Sequence, residues 1–252
     1  MLNECSSSAY GSDMSEFPPP PPPSNWSAEQ FIHKETVSPA LRVWLQIVLY
    51  ASGVCALLTG VSALAAGNAM EEYLESESWR SLDDLVDADQ LVDGFWGLGF
   101  LFSIAAFVLL IIFSVRVHKA CSTIWIGTRK WSREMTVGSW FIPLANFIVT
   151  PMIWIESDRI ANAPRDNGKA MPGWENSPKS KMAVTWWSLF AAGVTLICAI
   201  PLTGGEGFES ENYYTNFMRA GAVGALLLGA ASVLAALSVR RIGRALSPTA
   251  IG

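Results

Sequence analysis

The residues best suited to chemistry are the carboxylates between positions 67 and 93. This stretch contains DDLVD, with Asp83, Asp84 and Asp87. Paired carboxylates at this spacing can hold a magnesium ion on a diphosphate when a second acidic motif faces them. The chain has one such motif, in a stretch already dense in acids, so we interpret it as an acidic exterior loop, with weak divalent binding as the alternative. A short helix in this loop would place Leu82, Leu85 and Val86 on one face. The overlapping DADQLVDG also lacks the ligands that a calcium loop needs at its fifth and twelfth positions.

Other catalytic sets do not appear in the sequence. The chain has only two histidines, His33 and His118, and it contains no HExxH, GxSxG or GxxxxGK[ST] pattern. Those patterns supply the zinc ligands, the activated serine and the phosphate-binding loop of common enzyme classes. We therefore predict that the protein is not an enzyme, and we predict no cofactor and no nucleic-acid partner.

Four apolar runs provide the framework for any site. Hydrophobic residues make up 51% of the chain and charged residues 15%, which is outside the usual balance of a soluble domain. As helices, Leu41–Ala66, Gly94–Val117, Met182–Thr203 and Phe217–Val239 are each long enough to cross about 30 Å of hydrocarbon. None has an ionisable residue away from its ends, which argues against an active transporter. We predict an all-α polytopic bundle of four transmembrane helices over residues 39–245.

Lysine and arginine orient these helices. Residues 116–181 hold ten of them and residues 240–244 hold three, whereas residues 67–93 hold only Arg80 and residues 204–216 hold none. Cytoplasmic connections carry an excess of basic residues. The pattern predicts a multi-pass protein of the plasma (inner) membrane, with both termini and the long central connection in the cytoplasm.

The central connection contains GSWFIPLANFIVTPMIWIE, residues 138–156, with basic residues on both flanks. A fifth crossing here would put the basic carboxyl terminus outside. Pro143 and Pro151 each remove a backbone donor and favour an extended preceding residue, so we expect a proline-broken segment. It should be re-entrant or interfacial, and it should pack against the four helices because broken backbone is not tolerated facing lipid.

Side-chain roles in this segment can also be predicted. After Pro151 we expect an interfacial helix with Met152, Ile155 and Ile160 facing lipid, and with Glu156 and Arg159 facing water. Asn146 lies between the prolines. We interpret it as a hydrogen-bonding plug for carbonyls freed by Pro151, and alternatively as a polar group lining a permeation path.

The segment resembles a bacterial integral-membrane family known as domain of unknown function 4328, over roughly residues 40–245. The likeness implies a membrane location and no established activity. It rests on these motif positions: Trp131, Gly138, Trp140, Phe141, Ile142, Pro143, Asn146, Pro151 and Glu156.

The two ends of the chain and its cysteines are simpler. Residues 1–38 form a Pro-rich tail whose Pro18–Pro23 run favours an extended rod, predicted to be a disordered spacer or a docking peptide for a protein partner. Residues 246–252 form a short carboxyl-terminal tail. The four cysteines are far apart without CxxC spacing, so we interpret them as free thiols.

Basic, aromatic and small residues mark surfaces. Anionic lipid head groups are the simplest partners for Arg129, Lys130 and Arg133. Small residues at four-residue spacing in the first and last runs allow close helix approach, either within one bundle or between copies in a homo-oligomer. Eight tryptophans near predicted helix ends are typical of an interfacial belt rather than a ligand cage. They are Trp44, Trp96, Trp125, Trp131, Trp140, Trp154, Trp186 and Trp187.

These observations lead to two functional hypotheses. The first is a non-enzymatic scaffold or regulatory subunit of a membrane complex, because catalytic sets and charges within the helices are missing. The second is a homo-oligomeric channel or permease in which residues 138–156 line the pathway.

Overall fold

A computed structural model of the protein describes residues 37–76, 78–125, 127, 129–166, 168–176, 180–203 and 211–247. Six α-helices account for most of these residues. They are α1 (Pro39–Ser76), α2 (Trp79–Ile124), α3 (Arg133–Gly138), α4 (Pro143–Ala161), α5 (Lys181–Thr203) and α6 (Glu211–Ala245). Two very short antiparallel strands, β1 (Arg165–Asp166) and β2 (Lys169–Ala170), and a 3₁₀ turn (Trp174–Asn176) follow α4.

Four of these helices are long and apolar enough to cross a membrane: α1, α2, α5 and α6. They contain the four predicted spans, so the helical multi-pass architecture is confirmed. Many of their large apolar side chains point away from the protein, such as Val61, which is 60% exposed, and Leu101, which is 66% exposed. A shell of this kind suits lipid, since water would penalise so much exposed apolar surface.

The four long helices stand in a row, in the order α2, α1, α6, α5. Extended contacts join α1 to both α2 and α6, and α6 to α5, whereas the described parts of α2 and α5 have no extended contact. In the most apolar 18-residue stretch of each helix, 44% of the residues are buried in α1 and 50% in α6, against 22% in both α2 and α5. The two central helices therefore form the spine, and a gap separates the two flanking helices.

Small residues make the close approaches that hold the spine. A Cβ atom added to Gly229 of α6 would lie 3.1 Å from the Gly53 carbonyl oxygen of α1, and one added to Gly193 of α5 would lie 3.0 Å from the Gly224 oxygen of α6. The predicted small-residue faces are thus used within one chain. Association between copies stays a prediction.

At one end of the row, which we call the hairpin end, α1 and α2 extend beyond their apolar stretches. We expected an exterior loop with a short helix over residues 67–93, but α1 runs to Ser76 and α2 begins at Trp79, so helix covers nearly all of this stretch. Its exterior position stays a prediction. The extension packs on α6, where the Tyr214 hydroxyl lies 2.9 Å from Asp89 and the Arg219 guanidinium 2.7 Å from Glu71. These contacts allow an acidic, polar stretch to remain helical.

At the opposite end, residues 129–166 and 168–176 form a folded cap over the bundle. The cap contains α3, α4, the two short strands and the 3₁₀ turn, and α4 contacts α2, α5 and α6. Its buried apolar residues belong to the same core cluster as the long helices, for example Trp154 and Ile160 with Phe113 and Ile242. The cap is therefore an integral part of the bundle.

Two further expectations can be compared with the structure. Cys55 and Cys121 are buried free thiols and Cys198 is an exposed free thiol, as predicted, while Cys5 lies outside the described residues. The Pro-rich tail is also outside them, apart from residues 37 and 38.

Candidate functional site

The helix α4 carries most of the predicted motif, and its geometry corrects one expectation. Pro143 stands in the first turn of α4, where a missing N–H costs nothing, but Pro151 lies inside the helix. The chain turns at residues 139–142, before Pro143, and residues 143–161 form one helix. The predicted break at Pro151 was therefore wrong. A re-entrant or an interfacial position for the segment stays a prediction.

The two halves of α4 meet different surroundings. Leu144 is 77% exposed and Ile148 is 57% exposed, whereas Ile160 is fully buried and Glu156 is 6% exposed. We expected Ile160 to face lipid and Glu156 to face water, and both expectations were wrong. The acidic side chain turns inward because a basic partner is buried beside it.

That partner is Arg129, which joins the end of α2 to α4. Its Nε lies 3.2 Å from the Glu156 carboxylate, its Nη1 donates to the His118 carbonyl at 2.9 Å, and its Nη2 donates to the Ser157 hydroxyl at 3.1 Å. The Arg129 and Glu156 side chains are each 7% exposed. Such a buried pair needs additional hydrogen bonds to offset desolvation, and Arg129 makes two.

A second buried acid, Asp158, lies two residues after Glu156, on another side of α4. Its side chain is 2% exposed, and its Oδ1 lies 3.4 Å from the Arg241 guanidinium of α6 and 3.1 Å from the Asn162 amide. Burial raises the pKa of the Asp158 carboxyl above its usual range, against the opposing effects of Arg241 and Ser180. Asp158 therefore links α4 to the carboxyl-terminal end of α6.

Beside the Arg129–Glu156 pair lies an open pocket of about 460 Å³, which we call the cap pocket. Three basic residues and two acids line it, so its formal charge is +1. The Nε of Arg159 is buried and finds no hydrogen-bond partner among the described residues. The complete lining is Arg129, Lys130, Trp131, Met152, Ile155, Glu156, Arg159, Trp174 and Glu175.

Two further cavities lie among the long helices. The tryptophan cavity, of about 170 Å³, is bordered by Trp140, Asn146, Trp186 and Trp187 together with small residues of α1, α2 and α6. The phenylalanine cavity, of about 240 Å³, is bordered by Phe95, Phe100 and Phe190. Both cavities reach Ser52, Ser103 and Ser232, so they adjoin each other between the helices.

A family model described as Domain of unknown function (DUF4328) matches residues 78–244, well over half of the chain. The protein belongs to the DUF4328 family. In this DUF4328 member α2, α5 and nearly all of α6 lie within the matched residues, while α1 precedes them. No curated protein and no solved structure matches the chain.

The residues on which the predicted likeness to DUF4328 rests separate into two places. Trp131 and Glu156 line the cap pocket, whereas Trp140 and Asn146 line the tryptophan cavity. Of the three basic residues predicted for lipid head groups, Arg129 and Lys130 line the cap pocket and Arg133 is exposed at the start of α3. Gly138 ends α3 with open space where a Cβ atom would stand.

Some functional expectations for the DUF4328 chain need correction. The Asn146 Oδ1 is buried without a hydrogen-bond partner among the described residues, and the expected hydrogen bond from its amide nitrogen to a carbonyl freed by Pro151 stays a prediction. Trp140, Trp154, Trp186 and Trp187 are each at most 6% exposed, and they belong to the core rather than to an interfacial belt. Trp44 and Trp96 are 62% and 49% exposed, as a belt requires.

Sequence reasoning missed several residues of the cap pocket. Arg159 was expected to face water, yet it stands one turn after Glu156 and so on the same face of α4. Trp174 and Glu175 reach the pocket from the 3₁₀ turn, and no sequence signal connects them with it. Among the described residues, no group of three His, Cys, Asp or Glu side chains is close enough to hold a metal ion.

Proposed function

We propose that the protein is a non-enzymatic scaffold or regulatory subunit of the plasma membrane that binds an anionic lipid head group in the cap pocket. The observation that carries this proposal is that Arg159, which lines the cap pocket, has a buried guanidinium N–H, its Nε, without a partner among the described residues. A buried donor of this kind is costly unless an acceptor fills its place. A phosphate oxygen is a strong acceptor for arginine.

The charge of the pocket favours an anion that also carries hydroxyl groups. Arg129 is already committed to Glu156, which leaves Lys130 and Arg159 to meet a phosphate. The second carboxylate oxygen of Glu156, Oε2, is buried without a described partner, and it can accept a hydrogen bond from a hydroxyl group. Phosphatidylglycerol has both groups.

The position of the pocket also supports a lipid ligand. Met152, which lines the pocket, is 46% exposed, and Phe141 and Leu144 near the start of α4 are 66% and 77% exposed. Apolar side chains of this size belong in lipid, so the cap pocket stands where acyl chains give way to head groups. Lys130 lies 5.5 Å from the Trp131 ring centroid, a cation–π arrangement that suits the interface.

Orientation follows from charge, and it determines which leaflet supplies the lipid. The stretch 116–181 that includes the cap holds ten Lys and Arg, so we propose that the cap is cytoplasmic. The Pro-rich tail precedes α1 at the same end of the bundle. In the proposed role this tail recruits the protein partner, and the occupied pocket holds the cap beside it.

Native mass spectrometry of the full-length protein tests lipid binding. Arg159→Gln should reduce the amount of phosphatidylglycerol retained after detergent extraction by about fivefold, because one basic contact contributes about 1 kcal/mol. The matched control is Arg80→Gln, an exposed arginine at the hairpin end, which should retain as much as the unchanged protein. Equal retention by all three proteins would refute lipid recognition by the pocket.

The scaffold role has a separate test. Deleting residues 1–36 should abolish recovery of a bound protein from native membranes, while the lipid retention of the truncated protein should stay unchanged. Recovery that survives the deletion would contradict the role of the tail. The channel alternative gains no specific support, since Asn146 borders a cavity between helices of one chain.

A further inference from the structure

Residues that line the tryptophan cavity carry buried hydrogen-bond donors that the described residues do not satisfy. The indole Nε1 atoms of Trp140, Trp186 and Trp187 have no partner there, and these side chains are 6%, 3% and 5% exposed. The Asn146 Oδ1 beside the same cavity also has none. Nearly all buried polar groups in proteins have partners, so four orphans around one cavity need an explanation.

A nearby tryptophan shows what a satisfied donor looks like in this bundle. The Trp154 Nε1 donates to the Ser238 hydroxyl at 2.9 Å, and both residues are buried. The Trp186 and Trp154 rings pack in a T-shaped arrangement with centroids 5.6 Å apart, but the Trp186 Nε1 has no hydrogen-bond partner among the described residues. Unpaired indole donors also occur at Trp125 and Trp174, outside this lining, and three of the five belong to residues that line the tryptophan cavity.

The lining excludes a charged occupant. No Asp, Glu, Lys, Arg or His is among the residues that border the tryptophan cavity or the phenylalanine cavity. An unpaired charge in such surroundings would cost several kcal/mol or more. Three indole donors and one amide acceptor suit a neutral group with carbonyl oxygens.

The fold also provides a route and a place for an apolar tail. The described parts of α2 and α5 have no extended contact, and residues of both helices line the two cavities, which lie between them. The phenylalanine cavity adjoins the tryptophan cavity at Ser52, Ser103 and Ser232, and aromatic and aliphatic side chains dominate its lining. A lipid could enter sideways with its tail in one cavity and its polar end in the other.

We infer that the two cavities together bind a neutral lipid whose polar end presents carbonyl oxygens to Trp140, Trp186 and Trp187. Two kinds of membrane lipid share this chemistry: a diacylglycerol, through its ester carbonyls, and a quinone with an isoprenoid tail, through its ring carbonyls. Aromatic walls, with the Trp186 and Trp187 ring centroids 4.2 Å apart, provide flat apolar surfaces beside the donors. The site is separate from the cap pocket and does not depend on the proposed function.

Binding of defined lipids to the full-length protein in phosphatidylcholine nanodiscs tests this inference. The probes are a diacylglycerol, an isoprenoid quinone, squalene as a tail without carbonyls, and phosphatidylglycerol as a charged lipid. We expect one carbonyl lipid to bind at least about tenfold more tightly than squalene or phosphatidylglycerol, since each hydrogen bond contributes about 0.5–1.5 kcal/mol. Whichever of the diacylglycerol and the quinone binds more tightly is then identified as the kind of lipid that the site takes.

Matched variants locate the binding. Trp140→Phe combined with Trp187→Phe should weaken binding of the carbonyl lipid about tenfold or more, whereas Trp154→Phe should leave it unchanged because that donor is satisfied by Ser238. If the double variant fails to fold, Ser103→Leu provides a second test, since it fills the junction of the two cavities without removing a tryptophan. It should weaken binding to a similar extent.

Three results would overturn the inference. The first is that no carbonyl lipid binds, which would leave water as the occupant of the cavity. The second is that squalene binds as tightly as the carbonyl lipids, and the third is that neither the tryptophan variant nor Ser103→Leu weakens binding.

Discussion

The two ends of the bundle hold their ion pairs in different surroundings. In the cap, Arg129 and Glu156 are each 7% exposed, while at the hairpin end Arg219 and Glu71 are 46% and 47% exposed. Removing one partner of a buried pair leaves a charge without water, whereas an exposed pair stays solvated when it is broken. An Arg–Glu pair should therefore contribute strongly to stability in the cap and little at the hairpin end.

The difference follows from how the chain is built at each end. At the hairpin end α1 and α2 continue as helices, whereas in the cap the carboxyl-terminal ends of α2, α4 and α6 come together. Their last carbonyls accept from basic side chains: Lys169 donates to Thr123 at 2.7 Å, and Arg165 donates to both Ala161 and Ala245. Helix carboxyl termini carry partial negative charge, so this convergence gives the basic residues of the cap a structural role.

The largest expected effect comes from breaking the buried pair. Arg129→Gln removes the countercharge of Glu156 and two further hydrogen bonds, so we expect a loss of about 3–5 kcal/mol in the free energy of unfolding. Thermal unfolding of the purified protein in detergent measures the loss. A variant as stable as the unchanged protein would contradict the structural role of the pair.

A double variant sharpens this test. Arg129→Gln combined with Glu156→Gln leaves two neutral amides in place of the buried charges, and it should recover part of the stability lost by the single variant. Failure to recover any stability would mean that the hydrogen bonds to His118 and Ser157 account for the whole effect.

These charges also show how far the sequence alone could predict the structure. The four spans follow from long apolar runs, and the small-residue faces follow from their four-residue spacing. The burial of Glu156 does not follow, because its partner Arg129 is 27 residues away and their approach depends on how α4 packs. The tryptophan cavity is similar, since it joins Trp140 to Trp186 and Trp187, from a separate helix, and their positions near helix ends suggested an interfacial belt.

The full length of the helical extension at the hairpin end was missed for a different reason. Residues 67–93 are rich in acids, and a stretch that is polar on most sides gives no clear apolar periodicity. Helices α1 and α2 nevertheless continue through it because each is already nucleated in the membrane and packs along a neighbour. The break at Pro151 was predicted from a local rule that tertiary contacts of α4 override.

The contact between α1 and α6, which lies between the two ends, provides a comparison that involves no charged side chains. Gly229→Val would place a Cβ atom 2.8 Å from Leu57 and 3.1 Å from the Gly53 carbonyl oxygen, so we expect a loss of about 1–3 kcal/mol. Gly221→Val is the matched control, because nothing lies within 4 Å of its added Cβ atom, and it should be as stable as the unchanged protein. Equal losses in the two variants, measured by thermal unfolding, would contradict the packing of α1 on α6.

The pair between Asp158 and Arg241 is intermediate, since its side chains are 2% and 46% exposed. Arg241→Gln should cost about 1 kcal/mol at neutral pH, because the arginine is partly screened by water. Burial already raises the pKa of Asp158, and loss of the cation should raise this pKa further.

The pH dependence of that variant has a defined sign. A folded-state pKa above the unfolded value means that the folded protein gains stability as pH falls through the folded pKa. The loss in the free energy of unfolding caused by Arg241→Gln should therefore become smaller between pH 7 and the acidic range in which Asp158 takes up its proton. In the double variant with Asp158→Asn this narrowing should disappear. If the stability loss caused by Arg241→Gln stays constant or grows as pH falls, the pH dependence does not come from Asp158.

The smallest effect is expected at the hairpin end. Arg219→Gln breaks the pair with Glu71, whose atoms are 2.7 Å apart but whose side chains are nearly half exposed, so the loss should be about 0.2–1 kcal/mol. High salt screens exposed charges, and in about 1 M salt the variant and the unchanged protein should unfold at the same temperature. The loss in Arg129→Gln should persist in that salt because its pair is buried. If Arg219→Gln proves as damaging as Arg129→Gln, short distance rather than burial would govern both ends of the bundle.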